Sequence, residues 1–131
     1  MRPRLLLDTC TLLWLAADKS RLSPRARALL TETQDVCFVS AISGLEIALR
    51  YRERLLQLPL PPADWVQEAV GFFALEEIPV SAAIAMRVAL LPPRHDDLCD
   101  RTLVATALEK GLSIVTPDPL IAAYEGISVI W

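Results

Sequence analysis

The chain has 131 residues, of which 53% are hydrophobic and 22% are charged. This composition excludes an intrinsically disordered chain and fits a single domain, residues 1–131, around a sizeable core. The net charge of −3 is not that of a strongly basic nucleic-acid binder, although residues 1–54 hold nine basic and six acidic groups.

The cysteines and the hydropathy of the chain indicate where in the cell the protein is expected. Cys10, Cys37 and Cys99 form no Cys-x-x-Cys pair and there is one histidine, so we expect reduced thiols and no zinc site. Uncharged stretches are far shorter than the roughly 18 residues of a membrane span. We therefore expect a cytoplasmic protein that does not contact a membrane.

Short apolar runs alternate with helical segments in chain order. Helix starts are predicted at Ser23-Pro24, at Ser43 in the capping-box pattern Ser43-Gly44-Leu45-Glu46, at Ser81 and at Asp97. Gly111 predicts a helix end. Strands are predicted at residues 4–7, 36–39, 77–80, 112–115 and 127–130, and helices at 9–17, 24–33, 44–55, 64–75, 82–91, 98–110 and just after 118.

This alternation predicts an α/β sandwich with a mostly parallel sheet. Ligands of such sheets bind beyond the carboxyl ends of the strands, at the point where the strand order reverses. Asp8 closes the first predicted strand and Asp118 lies just past the fourth. Both residues are therefore placed where a site is expected.

Four acids lie at strand ends or helix starts: Asp8, Glu46, Asp100 and Asp118. If they converge, their repulsion raises their pKa values, and a divalent cation relieves it. Mg²⁺ suits such a set because it prefers oxygen ligands and retains waters. A site of this kind is able to activate a water and stabilise the leaving oxygen of a phosphodiester.

Each acid also has a structural interpretation. Glu46 completes a capping box with Ser43, Asp100 is a first-turn acid after a cap at Asp97, and Asp118 is a turn or N-cap residue. Asp8 is harder to explain in this way, because an acid that closes a buried strand needs a partner or a ligand. Spacing alone leaves the function open.

Four segments in order resemble the PIN-domain family, specifically the VapC-type toxins of bacterial toxin–antitoxin pairs. They are LLLDTCTLLWL, SAISGLEIALR, HDDLCDRTLVATAL and IVTPDPLIAAYEGISVIW, and the resemblance covers essentially the whole chain. It implies a PIN-like fold, with a five-stranded, mostly parallel sheet flanked by helices as an α/β/α sandwich. It also implies cleavage of RNA with Mg²⁺ or Mn²⁺, homodimers, and neutralisation by a VapB-type antitoxin.

The resemblance further implies roles for individual residues. Asp8, Glu46, Asp100 and Asp118 match the acids that bind the metal and catalyse the reaction, with a water activated by metal and carboxylates. Asp97 matches the first acid of a D-x-x-D-R signature, as a ligand through water or only a cap. Thr9 and Thr116 match supporting hydroxyls that hold carboxylates or waters.

The chain departs from the family pattern twice. It has Asp97-Leu98-Cys99-Asp100-Arg101 where the family often has D-P-F-D-R, and Cys10 where a histidine often follows D-T. Neither change removes a predicted ligand. Helix-entry geometry and substrate preference are left open.

Several other residues have two interpretations. Arg50, Arg54 and Arg101 are possible RNA contacts, although Arg50 also forms an i,i+4 pair with Glu46 on a helix. His95 is predicted to be a loop residue and not a general base. The aromatic residues of two very apolar helices are either core or a partner surface; these are Trp14, Trp65, Phe72 and Phe73.

Two other functions compete with a nuclease. An acid-pocket phosphotransfer or phosphatase domain usually needs a lysine near the last strands, and residues 127–131 contain none. A non-catalytic binding module, whose acids are only helix caps, predicts no metal-dependent activity.

Overall fold

The structure, a computed structural model, describes residues 3–32 and 35–131. Within these ranges the strands are β1 (Leu5–Leu7), β2 (Phe38–Ser40), β3 (Glu76–Ile78), β4 (Ser113–Val115) and β5 (Ser128–Ile130). The α-helices are α1 (Thr9–Ala17), α2 (Pro24–Glu32), α3 (Ala41–Arg52), α4 (Pro62–Phe72), α5 (Ala82–Leu90), α6 (Leu98–Lys110) and α7 (Pro119–Ala122), and a 3₁₀ turn spans Lys19–Arg21.

The five strands form one sheet in the order β3-β2-β1-β4-β5, and every neighbouring pair is parallel. The chain moves outward from β1 to β2 and β3, then crosses back to place β4 on the other side of β1. The strand order therefore reverses at β1. Leu7, the last residue of β1, is in register with Val39 on one side and Val115 on the other.

The central strand is buried on both faces, because its three leucine side chains pack into two separate hydrophobic cores. Leu5 and Leu7 pack with Leu12, Ile47 and Trp65 on one face. Leu6 packs on the opposite face, with a core that includes Ile84, Leu103, Val104 and Ile114. Helices thus cover both sides of a parallel sheet, and the predicted five-stranded α/β/α sandwich is confirmed.

The start of α3 was predicted wrongly. The strand β2 ends at Ser40, whose hydroxyl accepts a hydrogen bond from the Ile42 amide at 3.0 Å and caps the helix. Ser43 lies buried inside the helix and accepts a hydrogen bond from the Thr9 hydroxyl at 2.9 Å. The predicted capping box at Ser43 is wrong, because the Ser43 hydroxyl takes part in a tertiary hydrogen bond with Thr9.

The other helix signals agree closely with the structure. Ser81 caps α5, Asp97 caps α6, and Gly111 ends α6 in the left-handed conformation with φ of 67°. The predicted end of α2 at Thr33 lies outside the described residues. Helix α4 begins at Pro62 and ends at Phe72, about two to three residues earlier than predicted at each end.

The aromatic residues of α1 and α4 divide between core and surface. Trp65 is 8% exposed and belongs to the core. Trp14 packs against Trp131 in a tilted arrangement, with ring centroids 5.9 Å apart. Phe72, in contrast, is 82% exposed. No described helix is long and apolar enough to cross a membrane.

Candidate functional site

Asp8 directly follows the central strand, and hydrogen bonds hold its carboxylate from two directions. Its side chain is buried, and Oδ1 accepts a hydrogen bond from the Thr11 amide at 2.8 Å as the N-cap of α1. Oδ2 accepts a hydrogen bond from the Thr116 hydroxyl, which follows the neighbouring strand β4. Since β1 and β4 run parallel, their carboxyl ends bring these two residues side by side.

Thr116 also connects Asp8 to Asp118. Its hydroxyl accepts a hydrogen bond from the Asp118 amide at 3.1 Å. The Asp118 side chain then caps α7 by accepting from the Leu120 amide at 2.9 Å. The turn after β4 therefore fixes both aspartates within one hydrogen-bond network at the reversal point of the sheet.

The first turn of α6 supplies the next two acids. Asp97 is the N-cap and accepts a hydrogen bond from the Asp100 amide at 2.9 Å. The Asp100 carboxylate is 3.5 Å from His95 Nε2 and its side chain is 19% exposed. The helix start thus holds Asp100 in a partly buried position beside a histidine.

Glu46 comes from α3, on the other side of the site. Its side chain is 12% exposed and lies 3.4 Å from the Arg50 guanidinium. Glu46, Asp97 and Cys99 each place one ligand atom within 4.8 Å of the others. Helices α3 and α6 therefore bring acids from distant parts of the sequence into one cluster.

The pKa of Asp100 reflects its burial and the acids around it. Burial first, and then the negative charges of Asp97, Glu46 and Asp118, together raise this pKa to about 7, while His95, 3.5 Å away, opposes the shift. The charges of Glu46, Asp97 and Asp118 therefore act on Asp100. Asp8 is not among these charges, and it is linked through the Thr116 hydroxyl to the backbone amide of Asp118.

The two nearby thiols stay protonated at neutral pH. Burial and the Asp8 charge raise the pKa of Cys10 to about 12. Burial and the charges of Glu46, Asp97 and Asp100 raise the pKa of Cys99 to about 11. The negative charge of the site therefore comes from carboxylates, and such oxygen donors fit a hard divalent cation better than a soft one.

Comparison with known proteins places this geometry in a family. The model of the PIN domain family matches residues 5–126. The chain belongs to the PIN-domain family. It is also 35% identical over 113 residues to Ribonuclease VapC22 of Mycobacterium tuberculosis, covering 86% of this chain and 85% of that protein. The resemblance to VapC-type proteins is therefore confirmed.

Solved structures share the fold. FitAcB from Neisseria gonorrhoeae superposes with a TM-score of 0.68 at 22% identity, covering 97% of this chain and 96% of that one. A DNA-bound VapBC from Salmonella typhimurium gives 0.68 at 18% identity, covering 98% of both chains. A toxin–antitoxin complex from Klebsiella pneumoniae gives 0.67 at 21% identity, covering 97% and 96%.

Some predicted site residues have other contacts in this PIN domain. The Thr9 hydroxyl donates to Ser43, so it joins α1 to α3 and holds no carboxylate through that bond. Arg101 was predicted as a possible RNA contact, but its guanidinium donates to the carbonyls of Val88, Leu91 and Pro92 within the chain. Arg54 is exposed just past the end of α3.

Sequence reasoning missed residues beside the PIN-domain acids. His95 was predicted to be only a loop residue, but its ring is largely buried between Asp100 and Tyr124. Its position five residues before Asp100 is a weak signal, because a loop can turn a side chain in any direction. Tyr124 has no sequence signal, since it reaches His95 from 29 residues away.

Proposed function

We propose that the chain is a metal-dependent endoribonuclease and the toxin of a toxin–antitoxin pair. The observation that carries the proposal is the convergence of Glu46, Asp97 and Asp118 on a partly buried Asp100; burial and these charges together raise the pKa of Asp100 to about 7. The similarity to a protein named as a ribonuclease supports RNA as the substrate. A cluster of like charges at the ligand-binding edge of a parallel sheet is costly unless a cation binds there.

Asp8, Glu46, Asp100 and Asp118 are the residues that would hold Mg²⁺ or Mn²⁺. When bound, the ion would act as a Lewis acid toward a phosphate oxygen and lower the pKa of a water. The chain's own contribution is orientation. Thr11 and Thr116 fix the Asp8 carboxylate, and the cap at Asp97 fixes the backbone of Asp100.

Substrate contact is assigned to basic groups near the acids. Arg50 is half-exposed and next to Glu46, so its guanidinium is placed to donate to an RNA phosphate at the edge of the site. Arg54, exposed just past the end of the same helix, extends this basic surface. The carboxylates would orient a water toward the scissile phosphorus and take one of its protons. The water oxygen would bond to the phosphorus as the bond to the leaving oxygen breaks, and the leaving oxygen would take up a proton.

A second candidate is a non-catalytic binding module. Asp8, Asp97 and Asp118 each accept a backbone N–H bond as helix N-caps, as that interpretation predicts. Caps alone do not explain Asp100 or Glu46, which cap nothing in the described chain and lie against other acids. The nuclease proposal predicts metal-dependent RNA cleavage, and the binding module predicts none.

The test compares Asp8→Asn with Asp18→Asn on a structured RNA in Mg²⁺ or EDTA. Asparagine retains the N-cap, so Asp8→Asn removes charge while keeping the start of α1. Asp18 lies at the opposite end of the same helix and provides a matched control. We expect cleavage in Mg²⁺ to fall on the order of a hundredfold or more in Asp8→Asn and to stay normal in Asp18→Asn. Cleavage that persists in EDTA or in Asp8→Asn would overturn the mechanism.

The proposed toxin role has a separate test in cells. We expect expression of the chain alone to stop growth, Asp100→Asn to restore growth, and co-expression of a VapB-type antitoxin to protect the wild type. Purified protein is expected to be a homodimer by light scattering. Normal growth on expression of folded wild-type protein would count against the toxin role without touching the nuclease proposal.

A further inference from the structure

We propose that His95 is a positioning residue for Asp100 and that Arg101 and Tyr124 set the tautomer with which it acts. The proposal rests on the proposed function, because it assigns a supporting residue to one of the predicted metal ligands. It begins from a continuous series of polar contacts. Arg101, Tyr124, His95 and Asp100 follow one another within 3.5 Å at each step.

Arg101 determines which atom donates and which accepts in the first hydrogen bond of this series. A guanidinium only donates, so the Tyr124 hydroxyl oxygen accepts from Arg101 Nη1 at 3.2 Å. Arg101 itself is held by the carbonyls of Val88, Leu91 and Pro92 at 2.8 to 3.2 Å. Its guanidinium is therefore a rigid anchor for the whole series.

The Tyr124 hydroxyl in turn donates its hydrogen bond to His95. Tyr124 is only 3% exposed, so its O–H proton needs a protein acceptor. Among the hydrogen bonds of the described chain, the acceptor that remains for this hydroxyl is His95 Nδ1 at 2.9 Å. With Nδ1 accepting, the neutral imidazole carries its proton on Nε2.

The Nε2 atom of His95 is sealed from solvent and faces Asp100. It has no hydrogen bond of good geometry in the described chain, and the group it faces is Asp100 Oδ2 at 3.5 Å. A proton on Nε2 aims a donor at that oxygen. The other carboxylate oxygen then keeps its lone pairs directed into the acid cluster, as supporting partners of metal-binding carboxylates do.

The opposite tautomer is disfavoured at both ends of the ring. A proton on Nδ1 would leave the buried Tyr124 hydroxyl proton without its acceptor. It would also turn the Nε2 lone pair toward the Asp100 carboxylate in the ionised form that would bind a metal, and the two lone pairs would repel each other. The contacts on the two ring nitrogens therefore select one tautomer together.

The first test reads the tautomer directly in metal-free protein. The chain has a single histidine, so ¹⁵N-histidine labelling of untagged protein gives an unambiguous long-range ¹H–¹⁵N spectrum. At pH 8 we expect the Nε2–H form, with Tyr124→Phe shifting the Nδ1 resonance and Tyr51→Phe, a tyrosine on α3, leaving it unchanged. A dominant Nδ1–H form, or a doubly protonated ring, would overturn the proposal.

The second test measures Mn²⁺ affinity by electron paramagnetic resonance, without RNA. We expect His95→Ala to weaken Mn²⁺ binding about tenfold to a hundredfold. His95→Gln places an amide N–H near the position of Nε2, so its affinity should stay within about threefold of wild type. Thermal melts check that both variants fold.

These outcomes separate a positioning role from a structural one. Equal Mn²⁺ affinity in His95→Ala and wild type, or equal losses in the alanine and glutamine variants, would overturn the proposal. Asp100→Asn tests the metal site itself. If Asp100→Asn binds Mn²⁺ as tightly as wild type, the proposed metal function fails. The tautomer experiment remains an independent test of the hydrogen bonds that join Arg101, Tyr124 and His95.

Discussion

Asp8 shows at the scale of one residue how a buried acid is made tolerable. Both of its oxygens have hydrogen-bond donors, Thr11 on one side and Thr116 on the other. A buried charge without such partners is strongly destabilising. The Thr116 hydroxyl is also shared with the amide of Asp118, so one side chain sets the position of two acids.

Replacing Thr116 with valine should therefore affect stability and activity together. Thr116→Val keeps the shape of the side chain but leaves Asp8 Oδ2 without this donor, which should lower the free energy of unfolding by about 1–3 kcal/mol. RNA cleavage should fall because Asp8 loses its fixed orientation. Urea unfolding and cleavage assays on Thr116→Ser, which retains the hydroxyl, provide the control; equal activity in both variants would contradict this role.

Arg101 illustrates how residue type alone misleads. An arginine directly after an acid in a nuclease-like motif suggests a phosphate contact. The structure instead turns it toward the end of α5, where it donates to three carbonyls and to Tyr124. Sequence could not predict this, because the carbonyls come from a helix end whose position depends on packing.

At the scale of elements, the start of α3 is set by the strand before it. Ser40 is the last residue of β2 and the N-cap of α3, so the chain passes from strand to helix without a loop. Glu46 then lies in the second turn of the helix. Any change at this junction is transmitted to the acid it positions.

We expect Ser40→Ala to destabilise the protein by about 1 kcal/mol, because the Ile42 amide loses its cap. Ser40→Thr retains a capping hydroxyl and should cost less. Denaturant midpoints of the two variants measure the difference. A midpoint of Ser40→Ala equal to that of wild type would show that the hydroxyl contributes nothing to the helix start.

The same junction explains which elements could be predicted from sequence. Ser81, Asp97 and Gly111 act through bonds within three or four residues, so local pattern was sufficient to place α5 and α6. For α3 the capping-box pattern pointed to Ser43, whereas Ser40 is the residue that caps the helix. The strand end and the hydrogen bond from Thr9 decide between them, and both depend on tertiary structure.

The proximity of Asp8 and Asp118 was predictable for a different reason. Parallel strands on both sides of β1 force their carboxyl ends to one edge, so Asp8 and Asp118 had to be neighbours. The direction of a loop side chain has no such constraint. His95 and Tyr124 could therefore not be placed beside Asp100 from sequence.

At the scale of the whole molecule, the acid cluster links stability to protons and cations. The pKa of Asp100 is about 7 in the folded chain, against 3.8 as its ordinary value. The folded state therefore binds this proton more tightly than the unfolded state does. The stabilisation from Asp100 is fully present below about pH 4 and is lost as the pH rises through about 7.

A divalent cation should reverse this trend. Mg²⁺ binds the ionised carboxylates of the folded chain, so its stabilisation should grow as the pH rises from 5 to 8 and reach about 2.7 kcal/mol at a hundredfold excess over its Kd. Thermal melts at pH 5, 6, 7 and 8 in EDTA or MgCl₂ measure how stability depends on pH without and with the ion.

In EDTA, wild type should lose stability between pH 5 and pH 8 relative to Asp100→Asn, whose side chain at position 100 cannot ionise. In MgCl₂, the gain at high pH should be absent from Asp100→Asn and intact in Asp18→Asn. A Mg²⁺ effect independent of pH, or equal in Asp100→Asn, would mean that the ion binds elsewhere on the molecule.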